Sequence, residues 1–205
     1  MIKKLLLISI VILNFSACMH SQSNNQKGDT PIKKEVQKIK RPNNYIQSTS
    51  RQKDEIEANY PFDIDLKTSK GKLVNSKDVF PQNGKPTVVL FWLTTCYPCR
   101  LEMKAIKEHY PSWISETDFN LIAISTDFPK NHERFYKTVK KEAWPWKSYI
   151  DVNREFRWVM PGELNGLPQL FIFDKNGKIV HHKRKYSIGD EHRLYAKIKE
   201  IVNEG

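Results

Sequence analysis

The sequence predicts an α/β domain in which helices cover both faces of a mixed β-sheet, with a β-hairpin at its N-terminal end. An uninterrupted apolar run over 87–93 is typical of a strand that is buried on both faces of a sheet, and residues 119–125 predict a second buried strand. Segments with helical periodicity follow each of these strands. Near the C-terminal end, a tight turn at 175–177 joins two strands directly, which makes the sheet mixed rather than all parallel.

The N-terminal part of this domain begins with the hairpin. Residues 62–66 alternate apolar and polar side chains, which predicts a half-buried strand, and a turn at 69–71 leads into a short second strand through Leu73. Further along, apolar residues interleaved with charges predict a helix over 99–115. Because proline cannot donate a backbone hydrogen bond, Pro111 predicts a bend or break in that helix.

The C-terminal part alternates strands and helices in the same way. Its predicted elements are a strand over 119–125, a helix over 131–141, an extended segment over 148–150, a helix over 152–159, strands over 169–173 and 178–182, and a last helix over 190–202. These elements complete a domain over residues 59–205.

The first 58 residues predict export and a tether. Residues 1–17 have a basic start, an apolar run too short to span a bilayer and small residues before Cys18, as in a signal peptide. Ser-Ala-Cys resembles the lipobox of bacterial lipoproteins, which implies that Cys18 carries a lipid; an ordinary signal with an incidental cysteine is the alternative. Residues 18–58 are polar with almost no large apolar side chains, which predicts a disordered tether.

The charge pattern argues against a nucleic-acid partner. The net charge is +11, but lysines alternate with glutamates along the chain and do not form a basic stripe with interleaved aromatics. The densest basic run, over 181–185, is interpreted as the exposed end of a hairpin strand. We therefore expect a solvated basic surface that also favours anionic membranes or acidic partners.

Cys96 and Cys99 form a Cys-x-x-Cys pair where a buried strand gives way to a helix, and Pro98 suits the first helical position. The spacing places Cys96 at the mouth of the helix and Cys99 one turn deeper. Unpaired N–H groups and the helix dipole favour the thiolate of Cys96. Cys96 can then attack the disulfide of a partner, and Cys99 can release the mixed disulfide.

The same pair of thiols is also half of a zinc site. Zinc needs two further Cys or His ligands, no second Cys-x-x-Cys exists, and His181 and His182 would project to opposite faces of a strand. The sequence therefore predicts no metal and no cofactor. A thiol-based module of the cell envelope that handles copper or zinc is the alternative to redox chemistry, although no methionine or histidine cluster lies near the pair.

Two segments resemble the TlpA/ResA-like branch of the thioredoxin superfamily, which consists of bacterial extracytoplasmic thiol–disulfide oxidoreductases. They are Phe-Trp-Leu-Thr-Thr-Cys-Tyr-Pro-Cys-Arg-Leu-Glu at 91–102 and Gly-Leu-Pro-Gln-Leu-Phe-Ile-Phe-Asp at 166–174. The order of elements also matches from about 59 to 202. The resemblance implies a thioredoxin-like fold and a dithiol that reduces disulfides of exported proteins, including the haem-binding cysteines of apocytochrome c.

The resemblance also implies roles for individual residues. Pro168 matches a cis-proline that lies against the cysteine pair and, with Leu167, holds the backbone of a partner. Trp92 matches a tryptophan packed beneath the site and is grouped with these two as a partner-binding residue, the alternative being a plain core aromatic. The implied partners are disulfide-bearing exported proteins and an upstream membrane electron donor, at the periplasmic face of the cell envelope, and we expect a monomer.

Glu102 matches a buried glutamate three residues after the second cysteine, which implies a catalytic role. The spacing alone places it on the helix face of Cys99, where a carboxylate can accept the proton of that thiol. The alternative is a surface glutamate that pairs with a neighbouring cation, namely Arg100, Lys104 or Lys107.

At three positions the sequence differs from related groups of proteins that share the fold. Position 95 is Thr where many relatives carry Trp, and position 90 is Leu where cytoplasmic thioredoxins carry a buried Asp. Glu102 is therefore the one candidate proton acceptor that the pattern offers. A peroxiredoxin, which shares the fold, would need a Thr-x-x-Cys arrangement, and position 93 is Leu.

Overall fold

The structure, a computed structural model, describes residues 62–204. The predicted signal peptide over 1–17 and the predicted tether over 18–58, including Cys18, lie outside the described residues. Between residues 62 and 204, no helix has the length and apolar character that crossing a membrane would require.

One seven-stranded sheet forms the centre of the domain. Its strands are β1 (Asp65–Thr68), β2 (Leu73–Asn75), β3 (Thr87–Trp92), β4 (Asn120–Ser125), β5 (Lys147–Asp151), β6 (Gln169–Phe173) and β7 (Ile179–Arg184). The helices are α1 (Ser76–Val79), α2 (Tyr97–Glu116), α3 (His132–Glu142), α4 (Phe156–Val159) and α5 (Asp190–Glu204). The strand order is β2-β1-β5-β4-β3-β6-β7.

The sheet is mixed, as predicted. Strands β3, β4 and β5 run parallel to one another, β6 pairs antiparallel with β3, and β1 pairs antiparallel with both β2 and β5. Because β3 lies between β4 and β6, both of its edges are hydrogen-bonded and all six of its residues are buried. This position explains its uninterrupted apolar sequence.

Alternate residues of β3 enter two separate cores on opposite faces of the sheet. Leu90 and Trp92 belong to one core, together with Met103 of α2, Phe135 of α3 and Leu194 of α5. The other face takes Val89 and Phe91, which pack with the aromatic rings of Phe62, Phe80 and Phe156. Helices therefore cover both faces of the sheet, which confirms the predicted fold class.

Of the bend or break predicted at Pro111, the break does not occur, because α2 continues past this residue to Glu116. Pro111 itself is exposed, whereas Trp113 is buried and stacks on Tyr195 of α5, with ring centroids 4.9 Å apart. Burial of this tryptophan stabilises the last turns of the helix, which outweighs the hydrogen bond that proline cannot make.

The helix predicted over 152–159 is shorter than expected. Asp151 ends β5 and accepts the backbone N–H groups of Glu155 and Phe156 at 3.0 and 2.9 Å. These bonds wrap the intervening residues around the carboxylate as a turn, so the helix is confined to α4.

Candidate active site

Cys96 and Cys99 are joined by a disulfide at the N-terminus of α2, with an S–S distance of 2.01 Å and a Cα–Cα distance of 5.3 Å. Cys96 is the N-cap residue and is half-buried, whereas Cys99 lies in the first turn and is fully buried. The backbone N–H of Cys99 points at Cys96 Sγ, 3.2 Å away. The pair thus has the predicted arrangement of one accessible sulfur and one deeper sulfur.

A buried carboxylate fixes the loop that leads from β3 to Cys96. Asp127 accepts the backbone N–H and the hydroxyl of Thr94, both at 2.9 Å, and the hydroxyl of Ser125 at 2.6 Å. On the other side, Arg100 donates to the Thr94 carbonyl oxygen at 2.8 Å. Thr94 is therefore held at its N–H, its hydroxyl and its carbonyl group, which orients the following cysteine.

Asp127 is not among the site residues that the sequence predicts. A signal for it exists, because Asp127 follows β4 by two residues and β4 is the parallel neighbour of β3. The carboxyl ends of adjacent parallel strands meet at one edge of a sheet, which is where ligands and functional groups gather in open α/β sheets.

The proline loop lies over the disulfide. The Leu167–Pro168 peptide bond is cis, as predicted, and the Leu167 carbonyl oxygen lies 3.7 Å from Cys96 Sγ. Strand β6 starts directly after this loop and pairs with β3 from the Gln169–Phe91 position onward. The antiparallel pairing therefore brings the beginning of one strand to the end of the other, and the loop to the cysteines.

Glu102 is buried inside the domain, one turn beyond Cys99 on the same helix. Only 1% of it is exposed, and its Oε1 lies 2.8 Å from Nζ of Lys183 on β7. Its Oε2 is also buried and has no hydrogen-bond partner among the described residues. The alternative of a surface glutamate paired with a cation of its own helix is therefore wrong.

The environment of Glu102 favours its protonated form. Burial raises the pKa of this carboxyl group, and the charge and hydrogen bond of Lys183 offset only part of that increase. Asp190 and Glu191 add to the increase because they are negative charges on the neighbouring helix α5. Glu102 is thus a carboxyl group that exchanges a proton at higher pH than an ordinary glutamate does.

The interpretation of 181–185 as an exposed strand end is wrong for its first three residues, which are half-buried. The Lys183 side chain is only 17% exposed, because it reaches between Glu102 and Asp190, at 2.8 and 3.4 Å. His182 stacks on Phe171, with ring centroids 4.1 Å apart. Alternation along β7 explains both contacts, since successive side chains point to opposite faces of the sheet.

Trp92 does not reach the surface of the site. It is fully buried and packs against Phe135 and Trp144, with ring centroids 6.1 and 5.1 Å away. A partner cannot contact a side chain without exposed atoms, so the expectation that Trp92 binds substrate is wrong for this conformation. It belongs to the same core as Cys99 and supports the site from beneath. Leu167, in contrast, is half-buried and presents part of its side chain to solvent.

Three features together define a protein of the thioredoxin superfamily. They are a mixed sheet of this strand order, a Cys-x-x-Cys disulfide at the N-terminus of α2 and a cis-proline directly before β6. The sequence model of the AhpC/TSA family matches residues 58–182, and the chain belongs to this family as a TlpA/ResA-like member.

Among curated proteins, the chain is similar to the thiol-disulfide oxidoreductase ResA of Bacillus cereus. The identity is 30% over 110 residues, which cover 54% of this chain and 59% of that protein. The chain thus spans little more than half the length of this relative.

Two solved structures are similar over a larger share. One is an uncharacterized thioredoxin-like protein from Porphyromonas gingivalis, with 36% identity, a TM-score of 0.60 and coverage of 69% of this chain and 91% of that one. The other is the thioredoxin domain of a thiol-disulfide oxidoreductase from Bacteroides vulgatus, with 25% identity, a TM-score of 0.56 and coverage of 74% and 100%.

Proposed function

We propose that this protein is a membrane-anchored thiol–disulfide oxidoreductase that reduces disulfides of exported proteins. The observation that carries the proposal is the disulfide at the N-terminus of α2, with Cys96 accessible and Cys99 fully buried. Two sulfurs in these positions perform successive, different steps of an exchange reaction.

In the reduced protein, Cys96 is the nucleophile. Its thiolate attacks one sulfur of a partner's disulfide, forms a mixed disulfide and expels the other partner sulfur as a thiolate. Cys99 then attacks Cys96 Sγ, which closes the Cys96–Cys99 disulfide and expels the second partner thiolate. Two electrons pass to the partner, and a membrane electron donor upstream restores the dithiol.

Glu102 serves the second step as the proton acceptor. Cys99 is buried, so its thiol cannot release a proton directly into solvent. Glu102 is on the same face of α2 and has a buried oxygen, Oε2, without a hydrogen-bond partner in the part of the chain that the structure describes. Burial raises the pKa of this carboxyl group, which makes its carboxylate a stronger base than that of an ordinary glutamate and suits it to taking up this proton.

The partner's backbone binds beside the proline loop. The carbonyl group of Leu167 lies next to Cys96. The following residue, Pro168, is held because its carbonyl oxygen accepts a hydrogen bond from the backbone N–H of Lys185 at 2.9 Å. At the rim of the site, Leu167 is half-buried against the same core as Cys96, and the exposed Tyr97 follows Cys96 directly in the chain. An extended partner segment with an apolar side chain near its cysteine fits this rim.

The location that we propose is the periplasmic face of the cell envelope, with a lipid on Cys18 as the anchor. The signal-like segment 1–17 and the lipobox-like Ser-Ala-Cys support this location. So does the similarity to thiol-disulfide oxidoreductases named ResA. We include apocytochrome c among the candidate partners on the resemblance alone.

A trapping experiment tests the activity. Cys99→Ala retains the nucleophile but removes the resolving thiol, so exported partners are expected to remain bound through a disulfide that reductant releases. Cys96→Ala is the matched control, because it removes the nucleophile and leaves the buried thiol. Equal amounts of captured protein in the two variants, or none in either under oxidising and reducing conditions, would contradict the proposal.

A further inference from the structure

A second group of chemically reactive side chains lies away from the disulfide, where the middle of α2 meets the start of α5. His109 comes from α2, and Glu191 and His192 come from α5. Each offers one ligand atom, and the three atoms all lie within 4.8 Å of one another. Residues far apart in the sequence therefore converge at one point on the surface.

The carboxylate of this group is held in one orientation. Glu191 is buried, and its Oε2 accepts the hydroxyl of Tyr186 at 2.9 Å and the backbone N–H of Gly189 at 3.1 Å. Its other oxygen, Oε1, lies 3.8 Å from Nε2 of His192. One oxygen is thus occupied by neutral donors, whereas the other points towards an imidazole.

The imidazole of His109 is also supported from one side. It stacks on Trp113 with ring planes 9° apart, and Trp113 stacks in turn on Tyr195. The ring of His192 lies 5.0 Å from that of His109, at an angle of 59°, and is exposed. Two of the three side chains are therefore preorganised, and the third is free to close over a ligand from solvent.

We infer that His109, Glu191 and His192 form a binding site for a divalent transition-metal ion such as Zn²⁺. Two imidazole nitrogens and one carboxylate oxygen are a ligand set that zinc accepts, with water in the fourth position. A metal at this position would join α2, which carries both the cysteines and Glu102, to the beginning of α5. Imidazole ligands favour zinc, copper or nickel over calcium or magnesium, which prefer oxygen alone.

The site is separate from the thiols, so the test must remove them as ligands. Full-length protein carrying Cys18→Ser, with the Cys96–Cys99 disulfide closed, has no free thiol, because the sequence contains three cysteines. We expect zinc chloride to bind this protein with one high-affinity site in titration calorimetry. Zinc is also expected to raise the midpoint of thermal unfolding, since the ligands are assembled only in the folded chain.

His192→Ala is the most informative variant because its side chain is exposed and its loss leaves no cavity. It is expected to weaken zinc binding on the order of 100-fold and to remove the zinc-dependent rise in unfolding temperature. His181→Gln is the matched control, since it removes an imidazole that lies outside the group, and it is expected to retain wild-type affinity. His109→Gln provides a second, independent ligand deletion.

Nuclear magnetic resonance identifies the ligands directly. Zinc is expected to shift the imidazole signals of His109 and His192 and to leave those of His181 in place. The same spectra without zinc show that each variant is folded. Wild-type affinity in both His192→Ala and His109→Gln, or zinc-induced shifts confined to other histidines, would overturn the inference.

Discussion

Two buried carboxylates belong to the segments that carry the redox disulfide, Asp127 through its bonds to Thr94 and Glu102 on α2, and their surroundings differ. Asp127 is 0% exposed and Glu102 is 1% exposed, so burial does not distinguish them. Asp127 accepts three hydrogen bonds from the N–H and hydroxyl of Thr94 and from Ser125. Glu102 has Lys183 at one oxygen and, within residues 62–204, no hydrogen-bond partner at the other. A carboxylate whose oxygens all accept hydrogen bonds fixes the positions of its donors. A carboxylate that has one oxygen without a hydrogen-bond partner and a cation at the other can change its protonation state.

The largest effect is expected from Asp127→Ala. The change leaves the buried Thr94 N–H and two buried hydroxyls without an acceptor, at about 1–3 kcal/mol for each unsatisfied group. We expect the free energy of unfolding of the oxidised protein to fall by about 4 kcal/mol in urea titrations. Asp118→Ala is the control, because its carboxylate is exposed and pairs with Lys85 at the surface, where less than about 1 kcal/mol is at stake. Similar losses in the two variants would show that Asp127 does not hold the loop.

Asp151 tests whether a raised pKa by itself indicates chemistry. Burial raises the pKa of Asp151 from 3.8 to about 6, despite hydrogen bonds from the N–H groups of Phe156 and Glu155. The Asp151 carboxyl group ionises at a lower pH in the unfolded chain than in the folded one. Its contribution to the stability of the folded state is therefore present below about pH 4 and is lost as the pH rises through 6. The shift of about two pKa units corresponds to about 3 kcal/mol.

Asp151→Asn should remove this dependence. The difference in unfolding free energy between wild type and variant is expected to change by about 3 kcal/mol between pH 4 and pH 7. Disulfide exchange in the variant should keep the pH profile of the wild type, because the Asp151 hydrogen bonds go to the turn before α4. The same pH dependence of the unfolding free energy in wild type and variant would contradict this prediction. So would a changed pH profile of disulfide exchange in the variant, because Asp151 would then take part in the chemistry.

The contrast between Asp127 and Glu102 also shows which features of the site the sequence could predict. The buried strand β3, the Cys-x-x-Cys helix start and the cis-proline loop are local patterns, each visible within about ten residues of chain. Lys183 and Asp127 acquire their roles only from strand order and register, since Lys183 pairs with Leu170 and so faces the helix that carries Glu102. Charged residues on a terminal strand are mostly solvated, and nothing local shows that one of them meets a buried glutamate.

Glu102→Gln separates proton transfer from structure. Removing the proposed proton acceptor is expected to slow the attack of Cys99 on a mixed disulfide about 100-fold at pH 7, the lower end of the range for general acid–base catalysis. The expected change in stability is small, because glutamine occupies the same volume and carries no buried charge. Rapid-mixing measurements of partner release give the rate. Glu108→Gln, at an exposed position of the same helix, provides the control.

A wild-type rate in Glu102→Gln, together with a loss of stability, would make Glu102 a structural residue like Asp127. The opposite pattern, a slow second step in a fully stable protein, would assign the proton to Glu102. The formation of the mixed disulfide through Cys96 is the internal reference, because this first step does not involve the Cys99 proton and should keep its rate.

Lys183→Met is expected to have the smallest effect of these variants. It tests whether the cation that pairs with Glu102 controls the proton affinity of this carboxyl group. Lys183 lowers the pKa of Glu102 against the larger influence of burial, so removing its charge raises that pKa further. A base with a higher pKa stays protonated to a higher pH, so the acidic limb of the rate profile should move to higher pH and the rate at a fixed pH on that limb should fall. Lys183→Arg keeps the charge and should keep the profile, and Lys185→Met removes an exposed charge nearby and should do the same. A downward shift in Lys183→Met, or an equal shift in Lys185→Met, would mean that the buried ion pair does not set the proton affinity of Glu102.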